Sequence, residues 1–162
     1  MPIALRPFLL DLWQFFETPL YVYGSAVRGD YWHGHSDVDL CAFSAREDTV
    51  IMDACAKFGL TEEDFRSIVW KLNGVLIYGR KAKFQAGSIR GELAVYDAAF
   101  RSTILQECQR GFNLSIPLLW VLWALKVVYY STPFLSNAGY KALKRFMFNY
   151  VACKKQSAFL LL

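Results

Sequence analysis

Residues 24–40 read GSAVRGDYWHGHSDVDL. The stretch closes an apolar run, LYVYG at 20–24, then crosses a mostly polar loop and ends on two aspartates that flank one valine. A fold by itself requires neither the Gly-Ser nor the paired charges. LYVYG predicts a short strand of β-branched and aromatic residues closed by glycine, and DVDLCAF from position 37 predicts a second strand. Strand alternation puts Asp37 and Asp39 on one face. Carboxylates that close repel each other unless a cation lies between them. The pair therefore points to a magnesium site of hard oxygen ligands, with manganese as the substitute.

Glu92 opens a further predicted strand, ELAVYD at 92–97, and supplies a third carboxylate. Two metal ions about 4 Å apart, held by three carboxylates, suit in-line phosphoryl transfer. One would lower the pKa of an attacking hydroxyl, and the other would neutralise the triphosphate and the leaving pyrophosphate. Gly24 and Ser25 then acquire a role. A short helix starting just after the strand would aim its first backbone N–H groups and the Ser25 hydroxyl at an anion, and Gly24 would let a phosphate approach the backbone.

The rest of the chain bounds this reading. Its 162 residues suit one compact domain or a small domain with an appendage. Apolar residues make up 55% and aromatics 17%, which excludes a disordered chain and is rich enough to suggest a further face buried in a complex. The net charge of +4 is compatible with a polyanionic ligand without demanding one. Cys41, Cys55, Cys108 and Cys153 form no CxxC pair, which argues against a disulfide framework or a zinc site and for a reduced, cytoplasmic setting. MPIALRPFLLDLW lacks the pattern of a secretory signal. Residues 114–130, LSIPLLWVLWALKVVYY, are apolar, but Lys126 and a short uninterrupted run favour a buried helix over a span of about 20 residues.

Helical periodicity covers residues 3–17, and Ser44 with Glu47 predicts a capped helix running to Phe58 and stopped by Gly59. A short helical turn follows Thr61. Residues 67–85 read as two strands about Leu72-Asn73-Gly74, and residues 98–110, 116–130 and 137–153 as helices. Asp97 caps the first of these helices and Ser115 the second. The predicted fold is α/β: a small mixed sheet flanked by helices at 1–100, then a short helical bundle at 101–162.

GSAVRGDYWHGHSDVDL resembles the signature of the DNA polymerase β-type nucleotidyltransferase superfamily, with one more residue between Ser25 and Asp37 than many members have. RGELAVYD resembles that superfamily's later acidic strand, which places the third carboxylate on Glu92 rather than Asp97. IPLLWVLWALKVVYY and NAGYKALKRFMFNYV resemble the helices that follow the catalytic sheet in poly(A) polymerases and terminal uridylyltransferases. The resemblance implies that Lys126 meets the triphosphate and Tyr140 stacks on the base. It implies a magnesium-dependent transfer of a nucleoside monophosphate from an NTP to an acceptor hydroxyl, an RNA 3′ end being the first candidate.

The alternatives are a minimal nucleotidyltransferase that modifies a protein hydroxyl, as in antitoxins of the superfamily, and a scaffold subunit that keeps the fold without activity. Aromatic richness and the apolar tail SAFLLL favour a protein partner over the C-terminal surface. Several residues have a plain alternative role. Lys126 otherwise snorkels at the edge of the core, and Tyr140 otherwise packs. Arg28 either steers phosphate or is solvated in its loop. His33 and His35 lie in that loop without a third zinc ligand. Arg80-Lys81-Ala82-Lys83 either tracks a nucleic-acid backbone or is a lysine-protected edge strand, the cysteines read as core, and Trp120 and Trp123 as core or interface.

Overall fold

The computed structural model describes residues 3–72, 74–112, 115–133 and 135–148. The end of the predicted 137–153 helix, Cys153 and the SAFLLL tail lie outside them. Five strands, β1 (Leu20–Tyr23), β2 (Val38–Phe43), β3 (Arg66–Leu72), β4 (Val75–Ala86) and β5 (Ile89–Tyr96), form one sheet in the order β1-β2-β5-β4-β3. The sheet is mixed, as expected: β2 and β5 run parallel and every other pair is antiparallel. The helices are α1 (Arg6–Phe15), α2 (Ser25–Arg28), α3 (Glu47–Phe58), α4 (Arg101–Phe112), α5 (Ile116–Ser131) and α6 (Asn137–Phe146).

Alternation along β2 and β5 builds a core on each side of the sheet. Val38, Leu40, Ala42, Leu93 and Val95 face one way and pack with Leu5, Leu12 and Phe16 of the N-terminal segment and Val50, Ile51 and Ala54 of α3. Cys41, Phe43, Ala94 and Tyr96 face the other way and pack with Ile77 of β4 and Ile104 of α4. Each fully buried Leu, Ile or Val contributes about 1.5–3 kcal/mol, so the two clusters dominate the stability of the sheet.

Several local expectations change. The α3 helix begins at Glu47 with no side-chain cap; Ser44 Oγ instead accepts from the Arg46 N–H at 3.0 Å in the preceding turn. A capping box does form, at Thr61 with Asp64. Glu92 is the fourth residue of its strand, not the first, because Ile89–Gly91 also pair. The Arg80–Lys83 stretch lies in β4, which is paired on both sides, so it is not an edge strand. Arg80 instead pairs with Asp48 and Glu47. Asp97 does cap the turn that follows β5, accepting from the Ala99 N–H at 2.7 Å.

The apolar run at 116–131 forms a helix buried along one stripe, Leu118, Leu122 and Lys126, spaced four apart. Leu118 and Leu122 pack with Met147 and Phe148. Trp120 and Trp123 stay 68% and 49% exposed, which removes them from the core. Among the described residues no helix is long and apolar enough to cross a membrane.

Candidate active site

Four residues stand directly opposite one another across four strands: Tyr23 with Asp39, Asp39 with Glu92, and Glu92 with Lys83. Alternation puts them on the face that carries Cys41 and Ala94. The parallel pairing of β2 and β5 brings the second aspartate of the motif beside Glu92, although 53 positions separate them in the chain. Asp37 sits one residue before β2 and is exposed, with its Oδ1 3.8 Å from Arg90 Nε. The side chain of Glu92 is mostly buried and ion-paired with Lys81 Nζ at 3.0 Å.

Asp39 is partly buried, and that burial pushes its carboxyl up to about 6. The Lys144 ammonium opposes the shift, and the Glu92 carboxylate adds to it. A carboxyl held in this way binds a proton, or a cation, more readily than a free aspartate.

Gly24 follows β1 at φ +70°, a conformation that favours glycine. A Cβ on Gly24 would lie 1.9 Å from Asp39 Oδ2, so only glycine fits between β1 and that carboxylate. The α2 turn starts at once: Val27 and Arg28 donate to the Gly24 carbonyl at 3.3 and 3.1 Å. Ser25 is buried at the first position of the turn, one residue from the glycine that touches Asp39. The predicted short helix after the Gly-Ser is therefore present, and it abuts the acidic strand.

Among the described residues no three His, Cys, Asp or Glu side chains gather closely enough to form a ready metal cage. Asp39 and Glu92 are brought together in register, Asp37 lies at the same end of β2, and Lys81 balances Glu92. The donors are all carboxylate oxygens, and burial, with a contribution from the neighbouring acids, raises the Asp39 carboxyl. That donor chemistry fits magnesium or manganese. His33 and His35 are exposed in the loop. The His35 carbonyl accepts from Arg90 at 2.7 Å and from the Tyr130 hydroxyl at 3.2 Å.

Lys126 is buried head and all, which rules out snorkelling. Its ammonium pairs with Asp30 Oδ2 at 3.1 Å and donates to the Asp30 carbonyl and to Ser36 Oγ. Arg28 is buried too, against the carboxylate of Asp30, so it is neither solvated nor free to steer an anion. Burial alone would raise the Asp30 carboxyl, but Arg28 and Lys126 together hold it below the usual range. Tyr140 is 9% exposed, with one ring face stacked on Tyr129 at 4.2 Å and 13°.

Sequence reading passed over Asp30 and Lys144, and placed Lys81 in a basic strand without its partner Glu92. Burial lowers the Lys144 ammonium to about 8; Arg28 and Lys126 add to that shift, and Asp30 and Asp39 oppose it. The one available signal for Lys144 was its place one helical turn after Tyr140. Asp30 carried a weaker one, as an acid directly after an Arg-Gly pair.

Two solved structures illustrate the likeness to known proteins. One is of Cid1, described as having RNA terminal uridylyl transferase activity; it is 18% identical with a TM-score of 0.45, covering 89% of this chain and 47% of that one. The other is the GLD-2/RNP-8 complex, 20% identical with a TM-score of 0.36, covering 90% of this chain and 49% of that one. This chain thus spans about half the length of the structures it matches. A comparison with curated proteins finds no significant match. The model of the nucleotidyltransferase domain family matches residues 3–92, a span that begins before α1, contains the Gly-Ser turn and Asp37 and Asp39, and ends on Glu92; the chain belongs to that family, within the DNA polymerase β-type superfamily.

Proposed function

We propose that this chain transfers a nucleoside monophosphate from an NTP to an acceptor hydroxyl, releasing pyrophosphate. The observation that carries the reading is the juxtaposition of Asp39 with both Glu92 and the Gly24-Ser25 turn. Magnesium held by Asp37, Asp39 and Glu92 would supply Lewis acidity to the attacking hydroxyl and neutralise charge on the triphosphate. Gly24 and the Ser25 N–H and hydroxyl receive the phosphates, at the start of the turn that abuts the Asp39 carboxylate. Asp39, whose carboxyl is pushed up by burial, would be favoured as a carboxylate by a cation beside it. The reading also takes residues 101–162 as a helical appendage. It assigns an RNA 3′ end as the acceptor, Tyr140 to the base side of the nucleotide and a cytoplasmic setting. It gives the exposed α5 residues Trp120 and Val121 to a protein partner.

The test is a thermal-shift panel of the four ribonucleotides with magnesium, followed by incubation of labelled NTP with RNA. A site present at a hundredfold excess of ligand over its Kd stabilises by about 2.7 kcal/mol. The reading expects that shift in the parent, its loss in Asp37→Ala and Asp39→Ala, and label on RNA. Label on a protein instead would select the protein-modifying alternative.

A second reading, a scaffold without activity, draws on one observation: Lys81 already neutralises Glu92. It expects no response of the parent to any magnesium nucleotide.

A further inference from the structure

Asp30 is the most deeply buried charged residue among those described, at 1% exposure, and it lies in the loop between the Gly-Ser turn and the acidic strand. Its carboxylate receives Arg28 Nε at 3.1 Å and Nη2 at 3.3 Å, as well as Lys126 Nζ at 3.1 Å. An ammonium has three donors. All the bonds made by Lys126 run into this loop: to the Asp30 carboxylate, to the Asp30 carbonyl, and to Ser36 Oγ at 3.1 Å. Ser36 Oγ also accepts from the Trp32 N–H at 3.0 Å. Arg28 ends the turn that begins at Ser25, and Ser36 directly precedes Asp37. One lysine on α5 therefore grips both ends of the loop that joins the phosphate turn to the acids. The stack of Trp32 on Trp123, at 6.0 Å and 21°, fastens the same loop to the same helix.

Lys144 is differently placed. It lies on α6 one turn after Tyr140, with its ammonium 6.0 Å from the Tyr140 ring centroid. Among the described residues no carboxylate pairs with it. Its charged neighbours include Arg28 and Lys126, both committed to Asp30, and Asp39 on the sheet. Lys144 is half-buried, with only the more distant charges of Asp30 and Asp39 to attract it among the described residues, so an incoming polyanion would offset its desolvation.

We propose that the two lysines divide the work: Lys126 is a positioning residue that clamps the 29–37 loop, and Lys144 is the ammonium that meets the triphosphate. The second half rests on the nucleotidyl-transfer reading; the clamp does not.

The experiment compares the parent 162-residue chain with Lys126→Met, Asp30→Asn, the double variant, Lys144→Met and Lys144→Arg. Tryptophan emission is read without nucleotide, and binding of the four magnesium nucleotides is read across a magnesium titration. The clamp expects Lys126→Met and Asp30→Asn to shift the emission of the Trp32–Trp123 stack alike and to raise half-saturating magnesium alike. It expects the double variant to cost less than the sum of the two single variants, because both remove the same Lys126–Asp30 contact. Losing a charged hydrogen bond costs enough that Lys144→Met should weaken nucleotide binding about tenfold or more, with emission unchanged and Lys144→Arg restoring most of the affinity.

If Lys126→Met weakens nucleotide binding while Asp30→Asn does not, Lys126 is a phosphate ligand and the clamp is wrong. If Lys144→Met binds nucleotide like the parent, the second half is wrong. If the parent binds none of the four nucleotides, the nucleotidyl-transfer reading fails and takes the role of Lys144 with it. The emission and stability of the Lys126 and Asp30 variants then still decide the clamp.

Discussion

Gly24 and Asp39 approach so closely that a single Cβ on the glycine would lie 1.9 Å from the aspartate Oδ2. The contact joins the end of β1 to the acid of β2, and the glycine holds φ at +70° to make it. Gly24→Ala must therefore displace the Asp39 carboxylate or distort the turn. We expect a stability loss of about 1–3 kcal/mol from overpacking, together with loss of the magnesium-nucleotide thermal shift. An alanine variant that answers magnesium nucleotide like the parent would show that this contact has no part in the site.

Asp39 also sets a pH dependence. Its folded pKa of about 6 lies above the ordinary value of 3.8, so between those pH values the folded chain binds more protons than the unfolded one. Its contribution to stability is thus fully present below about pH 4 and is lost as pH rises through 6, by about 3 kcal/mol at most at roughly 1.4 kcal/mol per unit. We expect Asp39→Asn to melt higher than the parent at pH 7 without metal, and the gap to close towards pH 4. The same variant should lose its response to magnesium nucleotide. Melting curves from pH 4 to 8 check the sign; a variant that is destabilised at pH 7 refutes the assignment.

Lys81 and Glu92 form a mostly buried ion pair at 3.0 Å, and a cation at the site would compete with that lysine. Lys81→Met leaves Glu92 without its partner, which should cost about 1–3 kcal/mol in metal-free protein. Magnesium should then recover more of the loss than it adds to the parent, because it no longer displaces an ammonium. A magnesium-induced rise in Tm no larger than the parent's would place Glu92 outside the cation site.

Gly91 pairs with Val38 just before the two acids come into register. A Cβ there would lie 2.2 Å from the Phe84 ring and 2.7 Å from the Val38 carbonyl. The ring cannot move freely, since it stacks on Phe58 at 4.1 Å. Gly91→Ala should lower stability by about 1–3 kcal/mol and weaken nucleotide binding as the parallel pair is pushed apart. Chemical denaturation measures the first effect; an unchanged midpoint would mean that the strands part more easily than this packing implies.

The sequence by itself determined the local facts. Glycine punctuation and alternation located β1 and β2 and put Asp39 on the face opposite Val38 and Leu40. The Gly-Ser and Asp-Val-Asp spacing carried the family. Those signals are periodic or short-range, and each can be read in a window of a few residues. Tertiary structure alone decided the rest. Lys126 and Asp30 are 96 positions apart and meet only because α5 packs over the loop, so periodicity showed a lysine on a helix and nothing of its partner. The paired surroundings of β4 likewise followed from the sheet order, which a lysine-rich strand does not encode. Long-range ion pairs and strand order arise from how elements cross over one another, and the residues that record them lie too far apart for any local pattern to report.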